Sequence, residues 1–349
     1  SDGRATPAVR PPTAAAVTPE AIPSDGVLLR VDGPRNGDWF GMAIAAVDDV
    51  NEDGVGDLAV GAPQNENLGE RPAPHAPPGY VQLLSAADGA VLHTLLPTGS
   101  KAIDGADDHF GHVIRMLDDL DADGTRDIAV GAYLYDGDDG RPETFDENTG
   151  GVFLFSGRTG ALLRMRSGVL WGDRFGYALD TLPDRDGDGL ADLLIAAEKV
   201  EGEGTGITNT GAVQIHSSAT LEPLLRVDGP GWEGHFGSSL ATMEDVDGDG
   251  VADFVGGAFM YQAFARKRRE RGAAAIVSGA RGEVLRAWEG RADKDHLGFA
   301  VESLGDVDGD GVGDVALSAI QSGWVSDYSG AGYVVIKSGA TGRELSLIH

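Results

Sequence analysis

The sequence predicts an all-β fold, a five-bladed β-propeller of four-stranded antiparallel blades. Three observations lead there. A unit of about 60 residues recurs five times, which exceeds most helical repeats and fits one blade with its loops. Each unit reads as four short apolar runs separated by turns. The chain also holds 53 Gly among 349 residues, with 7% aromatics and no collagen-like period, so it needs many turns.

Composition narrows the class further. The chain has no Cys, which removes disulfides, thiolate metal sites and cysteine nucleophiles together. Its formal net charge of -29 opposes binding to a phosphate backbone, so no nucleic-acid partner is expected. A hydrophobic content of 41% is enough for a packed core. No run approaches the roughly 20 apolar residues of a membrane helix, and no transmembrane segment is expected.

The five units open at Phe40, Phe110, Phe175, Phe236 and Leu297. The first reads FGMAIAAVDDVNEDGVGDLAVGAP and the fourth FGSSLATMEDVDGDGVADFVGGAF. The Gly of each opening pair falls at positions 41, 111, 176, 237 and 298, a spacing that narrows slightly and is even across the last three units. An apolar run such as 42–47 follows the opening pair, then an Asp/Gly turn, then a second run such as 58–60 or 193–197. The third run lies at 80–84, 152–155, 213–216, 274–277 and 333–336. A Ser/Gly turn such as SGRTG (156–160) leads to a fourth run such as 161–165.

Spacing also predicts how the ring closes. One more such step beyond Asp306 overruns His349, and the same overrun counted back from Asp49 arrives at Val31. The segment 27–33, VLLRVDG, matches LLRVDG at 224–229. The expectation is that an N-terminal strand, Val27 to Val31, joins the C-terminal blade, with Glu344 to Ile348 competing for the same place. Residues 1–23, rich in Pro, Ala and Thr, are expected to be a disordered tail or linker, and 24–349 a single propeller domain. No charged and apolar leader pattern is read in these residues, and any signal peptide is expected to be already removed or excluded.

The acidic turns carry the chemistry. Each unit has D-x-[DN]-x-D-G-x-x-D between its first two runs. The oxygen positions are Asp49, Asn51, Asp53 and Asp57 in the first unit and Asp119, Asp121, Asp123 and Asp127 in the second. They are Asp184, Asp186, Asp188 and Asp192 in the third, Asp245, Asp247, Asp249 and Asp253 in the fourth, and Asp306, Asp308, Asp310 and Asp314 in the fifth. Alternate spacing aims three carboxylates at one point, and the Gly at position 6 permits the sharp turn. Position 7 offers a backbone carbonyl from Val55, Thr125, Leu190, Val251 or Val312. An all-oxygen cage of this kind suits Ca²⁺, so about five calcium ions are expected, one per repeat. Removing the 19 Asp at these positions would bring the charge from -29 to -10, so two-thirds of the excess belongs to the turns. Position 12, where an EF-hand places Glu, is Val60, Val130, Ile195, Gly256 or Leu317, so these are not EF-hands. The first turn, with Asn51, has one carboxylate fewer and is expected to be the weakest site.

Phe40–Gly41, the DxDxDG-type turn and Gly61–Ala62–Pro63 resemble the FG-GAP repeats of integrin alpha-chain propellers. Later units keep the Phe–Gly pair but relax the closing triplet to GAY, AAE, GAF and SAI, and the fifth opens with Leu297–Gly298. The resemblance spans essentially residues 27–349. It implies a calcium-stapled propeller that presents loops for recognition. Integrin heads have seven blades and this chain supports five, so their ring geometry and partner face do not transfer.

Alternating strands place the acidic turns and the Ser/Gly turns on one face. The longer loops 64–79, 133–150, 198–210, 259–272 and 321–330 fall on the other, where a protein or glycan ligand is expected. Within them Arg266, Lys267, Arg268 and Arg269 form a basic run, which fits an acidic partner or simply a solvated loop. Trp324 and Tyr328, and likewise Tyr133 and Tyr135, offer rings for a sugar to stack on or for loop packing. No catalytic residue is assigned. His109, His235 and His296 recur before the opening pair, which points to packing or a turn role. A glycosidase pair among Asp136, Asp138, Glu143 and Asp146 would still escape notice.

The sequence therefore predicts an extracellular, secreted or cell-surface or periplasmic, calcium-binding adhesion or recognition module that is not an enzyme. The alternatives are a calcium-dependent lectin and, behind it, a polysaccharide-degrading or lipase-like hydrolase built on the propeller.

Overall fold

Twenty strands form five four-stranded antiparallel sheets in a computed structural model. It describes residues 29–34, 37–63, 79–98, 108–136, 148–169, 172–200, 209–229, 234–261, 270–321 and 331–348. Among them there is no helix.

The first blade comprises β1 (Ala43–Val47), β2 (Asp57–Ala62), β3 (Tyr80–Leu84) and β4 (Val91–Leu95). The second has β5 (Val113–Met116), β6 (Ile128–Ala132), β7 (Gly151–Phe155) and β8 (Leu162–Ser167). The third has β9 (Phe175–Leu182), β10 (Asp192–Ala197), β11 (Ala212–His216) and β12 (Pro223–Asp228). The fourth has β13 (Leu240–Met243), β14 (Asp253–Ala258), β15 (Ala273–Val277) and β16 (Val284–Glu289). The fifth has β17 (Leu297–Gly305), β18 (Asp314–Ala319), β19 (Tyr333–Lys337) and β20 (Glu344–Ile348). Within every sheet the strands are hydrogen-bonded in chain order.

The propeller architecture follows from burial between neighbouring blades. The middle strands read as nearly continuous apolar runs, such as GVFLF in β7, because the second, third and fourth blades pack on a neighbour at both sides. Phe110, Ile114 and Phe155 meet Val81 and Leu83 between the first two blades. Phe175, Leu179 and Ile195 meet Val152 and Leu154 between the second and third. Phe236 and Phe254 meet Leu194 and Val213 between the third and fourth, and Leu297 and Leu317 meet Val255 and Ile276 between the fourth and fifth. Each such buried side chain contributes about 1.5–3 kcal/mol.

The opening pair of each unit is a turn device. The residue before the Gly-containing pair has a positive φ in all five units: Trp39 (54°), His109 (50°), Arg174 (58°), His235 (52°) and His296 (54°). The turn role expected of the three histidines is thus met, in a conformation that ordinary side chains seldom adopt. The Gly that follows lets the next blade approach closely. A Cβ at Gly298 would stand 2.1 Å from the Ala273 carbonyl oxygen.

The predicted closure needs correction. β20 completes the fifth sheet, paired with β19, and among the described residues no N-terminal strand joins that sheet. A tight hairpin supplies β20, with the Ser338 N–H donating to the Arg343 carbonyl at 2.8 Å. Local pairing of this kind costs far less chain entropy than recruiting a segment from the opposite end of the sequence. Residues 29–33 instead lie against the first blade, beside Gly89. Val27 and the 1–23 tail lie outside the described residues.

Candidate metal turns and the opposite face

Each acidic turn is wired by its own backbone before any ion is considered. The first Asp accepts two backbone N–H groups across the turn. Asp119 takes Asp123 N–H at 3.1 Å and Gly124 N–H at 2.8 Å, and Asp245 takes Asp249 N–H at 3.1 Å and Gly250 N–H at 2.7 Å. These donors hold the carboxyls of Asp184 and Asp245 below the ordinary range. The ninth position, Asp57, Asp127, Asp192, Asp253 or Asp314, is buried in every blade. It accepts the N–H of the second turn residue, as Asp127 does from Leu120 at 2.7 Å and Asp253 from Val246 at 2.7 Å. Burial, with the neighbouring carboxylates, pushes Asp127 and Asp192 up to about 6.

Four turns gather carboxylate oxygens within 4.8 Å of one another. The sets are Asp119, Asp121 and Asp127; Asp184, Asp186 and Asp188; Asp245, Asp247 and Asp253; and Asp306, Asp308 and Asp314. The first turn is not among them. There the Asn51 side-chain amide donates to Asp53 at 2.9 Å, so the turn satisfies part of its own charge.

Two observations bear on whether these residues suit a hard cation. The buried Asp192 Oδ1 has no hydrogen-bond partner among the described residues. In the fourth turn the Arg281 guanidinium reaches Asp247 at 2.5 Å and Asp249 at 2.6 Å, so a positive group already lies on the carboxylate cluster. All-oxygen sets, with an orphaned buried oxygen in the third turn and a cation drawn to the fourth, fit Ca²⁺. A bound ion would supply charge neutralisation and a cross-link between the two ends of the turn.

One recurring partner escaped the sequence reading. The hairpin between the third and fourth strands begins with Ser85, Ser156, Ser217, Ser278 or Ser338. Its hydroxyl lies 3.2–3.5 Å from the fifth-position carboxylates Asp53, Asp123, Asp188, Asp249 and Asp310. The same hairpin donates a backbone N–H to the ninth-position Asp, as Gly157 does to Asp127 at 3.1 Å. The signal was present as a Ser closing every third run, but it read as turn chemistry alone. These contacts place the acidic turns and the hairpins on one face. The backbone positions Val55, Thr125, Leu190, Val251 and Val312 each donate their N–H to the fifth-position Asp, at 2.8–3.0 Å.

On the opposite face, Arg266, Lys267, Arg268, Arg269, Trp324 and Tyr328 lie outside the described residues, as do Asp138, Glu143 and Asp146. Tyr135 is a core residue, 1% exposed, and its hydroxyl donates to the Thr98 carbonyl. Tyr133 packs edge-on against His109 and Tyr177, under the Arg174 guanidinium. Neither tyrosine presents a free ring. Glu198 is buried and accepts from Arg174 at 2.7 Å and His235 at 3.0 Å. Burial raises its pKa, but these partners more than offset that and hold it below its ordinary value. Beside them the inner strands line a cavity of about 350 Å³ that includes His112, Arg115, Tyr177, Phe259, Phe299 and Glu302. Desolvation lowers His112 to about 4 and raises the Tyr177 hydroxyl above its ordinary range.

Residues 40–70 match the family model described as FG-GAP repeat. Integrin alpha-5 of Xenopus laevis is 32% identical over 203 residues, 56% of this chain and 18% of the integrin. Integrin alpha-IIb of Homo sapiens is 36% identical over 177 residues, 49% of this chain and 16% of the integrin. The match thus spans less than a fifth of these relatives' length. Among solved structures, Saccharomyces cerevisiae Sqt1 aligns with a TM-score of 0.49 at 9% identity, over 84% of this chain and 58% of its own. Four units that open Phe–Gly and a fifth that opens Leu–Gly carry the resemblance in sequence: the chain carries an FG-GAP repeat and is similar, over about half its length, to integrin alpha chains.

Proposed function

We propose that this chain is an extracellular recognition module whose acidic turns bind calcium and whose opposite face binds a protein ligand. The observation that carries the calcium reading is the clustering of carboxylate oxygens in the acidic turns of four blades, from positions 1, 3 and 9 in three of them and from positions 1, 3 and 5 in the third. A single acidic turn is common on protein surfaces. Four at the same blade position, each tied to a buried ninth Asp and a hairpin serine, are a built feature. Calcium then fastens the first two strands of a blade to its outer hairpin, in a chain without disulfides. The loop-face reading is supported by the similarity to integrin alpha chains and by the concentration of long, dissimilar loops there. No catalytic role is proposed for any residue.

The test is isothermal titration of metal-free protein with Ca²⁺, followed by pull-downs from extracellular material with and without chelator. Saturable binding at several sites, with calcium-dependent capture, supports the reading. A folded protein that binds no calcium overturns it.

A second reading, a calcium-dependent lectin, is favoured by the aromatic cavity lined by Tyr177, Phe259 and Phe299. Carbohydrate recognition uses such rings. A glycan array with Ca²⁺ and with chelator separates the two: hits lost on Phe299→Ala select the lectin.

A further inference from the structure

The fourth blade has a cavity where the second blade has a ring of its own chain. In the second blade, β7 places Phe153 opposite Val130. The Phe153 ring stands edge-on to two others, 5.4 Å from Phe110 at 77° and 5.2 Å from Tyr135 at 87°. The fourth blade keeps both flanking rings, as Phe236 and Tyr261. It keeps the turn that presents the tyrosine as well: the Tyr261 N–H donates to the Ala258 carbonyl at 2.9 Å, as the Tyr135 N–H does to Ala132 at 3.0 Å. At the place of Phe153, however, β15 has Ala275, opposite Gly256. At the place of Met165, β16 has Ala287. These exchanges open a cavity of about 190 Å³, bounded by Phe236, Tyr261, Ala275, Ala287, Trp288 and Glu289 among others. It shares no lining residue with the cavity beside Tyr177.

The walls of this cavity are held from outside it. Gly256 lets the Phe236 ring settle on β14, since a Cβ there would stand 2.7 Å from the ring. The Trp288 indole N–H donates to the Gly342 carbonyl of the fifth blade at 2.9 Å, which fixes the indole. Ala287 and Glu289 are exposed on β16, so the cavity opens at the outer strand with a carboxylate on its rim. Burial, and then the Glu289 charge, raises the Tyr261 hydroxyl above its ordinary range, so the rim pairs a neutral phenol with that carboxylate. An apolar cavity of about 150 Å³ is enough to hold benzene. This one has room for the ring and a short arm.

We propose that this cavity is a binding site for a small aromatic amine, one benzenoid ring carrying a short ammonium arm. The second blade shows what such a space accepts: a phenyl ring edge-on to its phenylalanine and tyrosine neighbours, and the ring of the ligand takes the place of Phe153. The arm points out to the rim, where the Glu289 carboxylate accepts from the ammonium. A negatively charged arm would be repelled there. The inner wall of alanines and ring faces offers no partner to a second polar group, so a bare ring is preferred inside. The site needs neither the acidic turns nor the loop face.

The test titrates the full chain, in calcium, with benzylamine, benzyl alcohol and phenylacetate, and follows binding by ligand-observed NMR. Benzylamine is expected to bind with a Kd on the order of 0.1–1 mM, a normal value for so few atoms. Benzyl alcohol should be about three- to tenfold weaker and phenylacetate weaker again. No binding of benzylamine up to about 10 mM overturns the proposal. Glu289→Gln should bring benzylamine down to the level of benzyl alcohol and leave benzyl alcohol unchanged. An unchanged preference for the amine overturns the role of the carboxylate. Ala275→Phe supplies from the chain the ring that the second blade has, and should abolish binding of all three probes with the melting midpoint held or raised by a few degrees, about 1–4 °C. Undiminished binding in that variant places the probes elsewhere and overturns the site. Should Ala275→Phe fail to fold, Ala287→Met on the exposed outer strand decides: it narrows the mouth as Met165 does in the second blade and should weaken benzylamine about tenfold or more. Full affinity in Ala287→Met overturns the proposal.

Discussion

Arg126 of the second acidic turn grips Asp48 of the first. Its guanidinium donates at 2.7 and 3.0 Å and its backbone N–H at 3.0 Å. The hydrogen bonds from Arg126 hold the Asp48 carboxyl below its ordinary range. Neighbouring turns are thus linked to each other as well as to their own blades. Arg126→Ala is expected to cost about 1 kcal/mol, the upper end for a half-exposed pair, because the contact is bidentate. Denaturant unfolding of Arg126→Ala, Asp48→Ala and the double variant measures it. A coupling energy of zero would reduce the contact to surface decoration.

Calcium removal gives the largest expected effect. Each site saturated at 100 times its dissociation constant adds about 2.7 kcal/mol. Four such sites in a chain of this size correspond to a midpoint about 10–15 °C higher than in chelator. Differential scanning calorimetry checks this. The first turn, where Asn51 already donates to Asp53, should fill last in a titration. Asn51→Asp should strengthen it and bring it into line with the other four.

Arg281 competes with any ion for the fourth turn, since its guanidinium spans Asp247 and Asp249. Arg281→Ala is expected to raise calcium affinity at that site by about two- to fivefold. Titration of a chain whose other turns carry Asp→Ala changes isolates the site. Weaker binding after Arg281→Ala would mean that the arginine organises the turn and does not compete.

Buried histidines set an acid-side dependence. Desolvation lowers His216 to about 4, and its Nδ1–H donates to the Leu221 carbonyl at 2.8 Å. His109 and His112 are lowered to about 4 by the same cause. Between pH 6.5 and 4 the unfolded chain binds protons that the folded chain refuses. Stability contributed by these rings is therefore complete above about pH 6.5 and is lost as the pH falls toward 4. The His216 ring resonance followed by NMR should stay neutral through pH 5, and His216→Asn should flatten the decline.

Glu198 anchors Arg174 and His235 on the loop face. Glu198→Gln leaves a partly buried arginine without its counter-charge and is expected to cost about 3 kcal/mol. Its folded pKa is depressed, so its contribution is present above the unfolded carboxylate value and fades as the pH falls below it. Chemical denaturation at pH 7 and pH 3 should show a large penalty that shrinks in acid.

Repetition made most of the architecture legible. A regular period, with apolar runs in fixed order, foretold five four-stranded blades, and every acidic turn fell between the first two strands of its blade. That information is local: a turn residue and an alternating run act within a few residues of themselves. The serine at each outer hairpin was visible as a letter but not as a partner, because Ser156 lies 33 positions from the Asp123 carboxylate it touches.

What the sequence determined by itself is the blade, its turns and the carboxylates in them, since spacing along the chain fixes them. Only the tertiary structure decided how the blades meet. It put Leu29 and Val31 against Gly89 and gave the fifth sheet its own outer strand from 344–348. Both segments carry the pattern of an outer strand, and periodicity cannot choose between them. The choice rests on chain entropy, which favours a hairpin over a partner at the far end of the chain, and on which apolar face finds another to cover it.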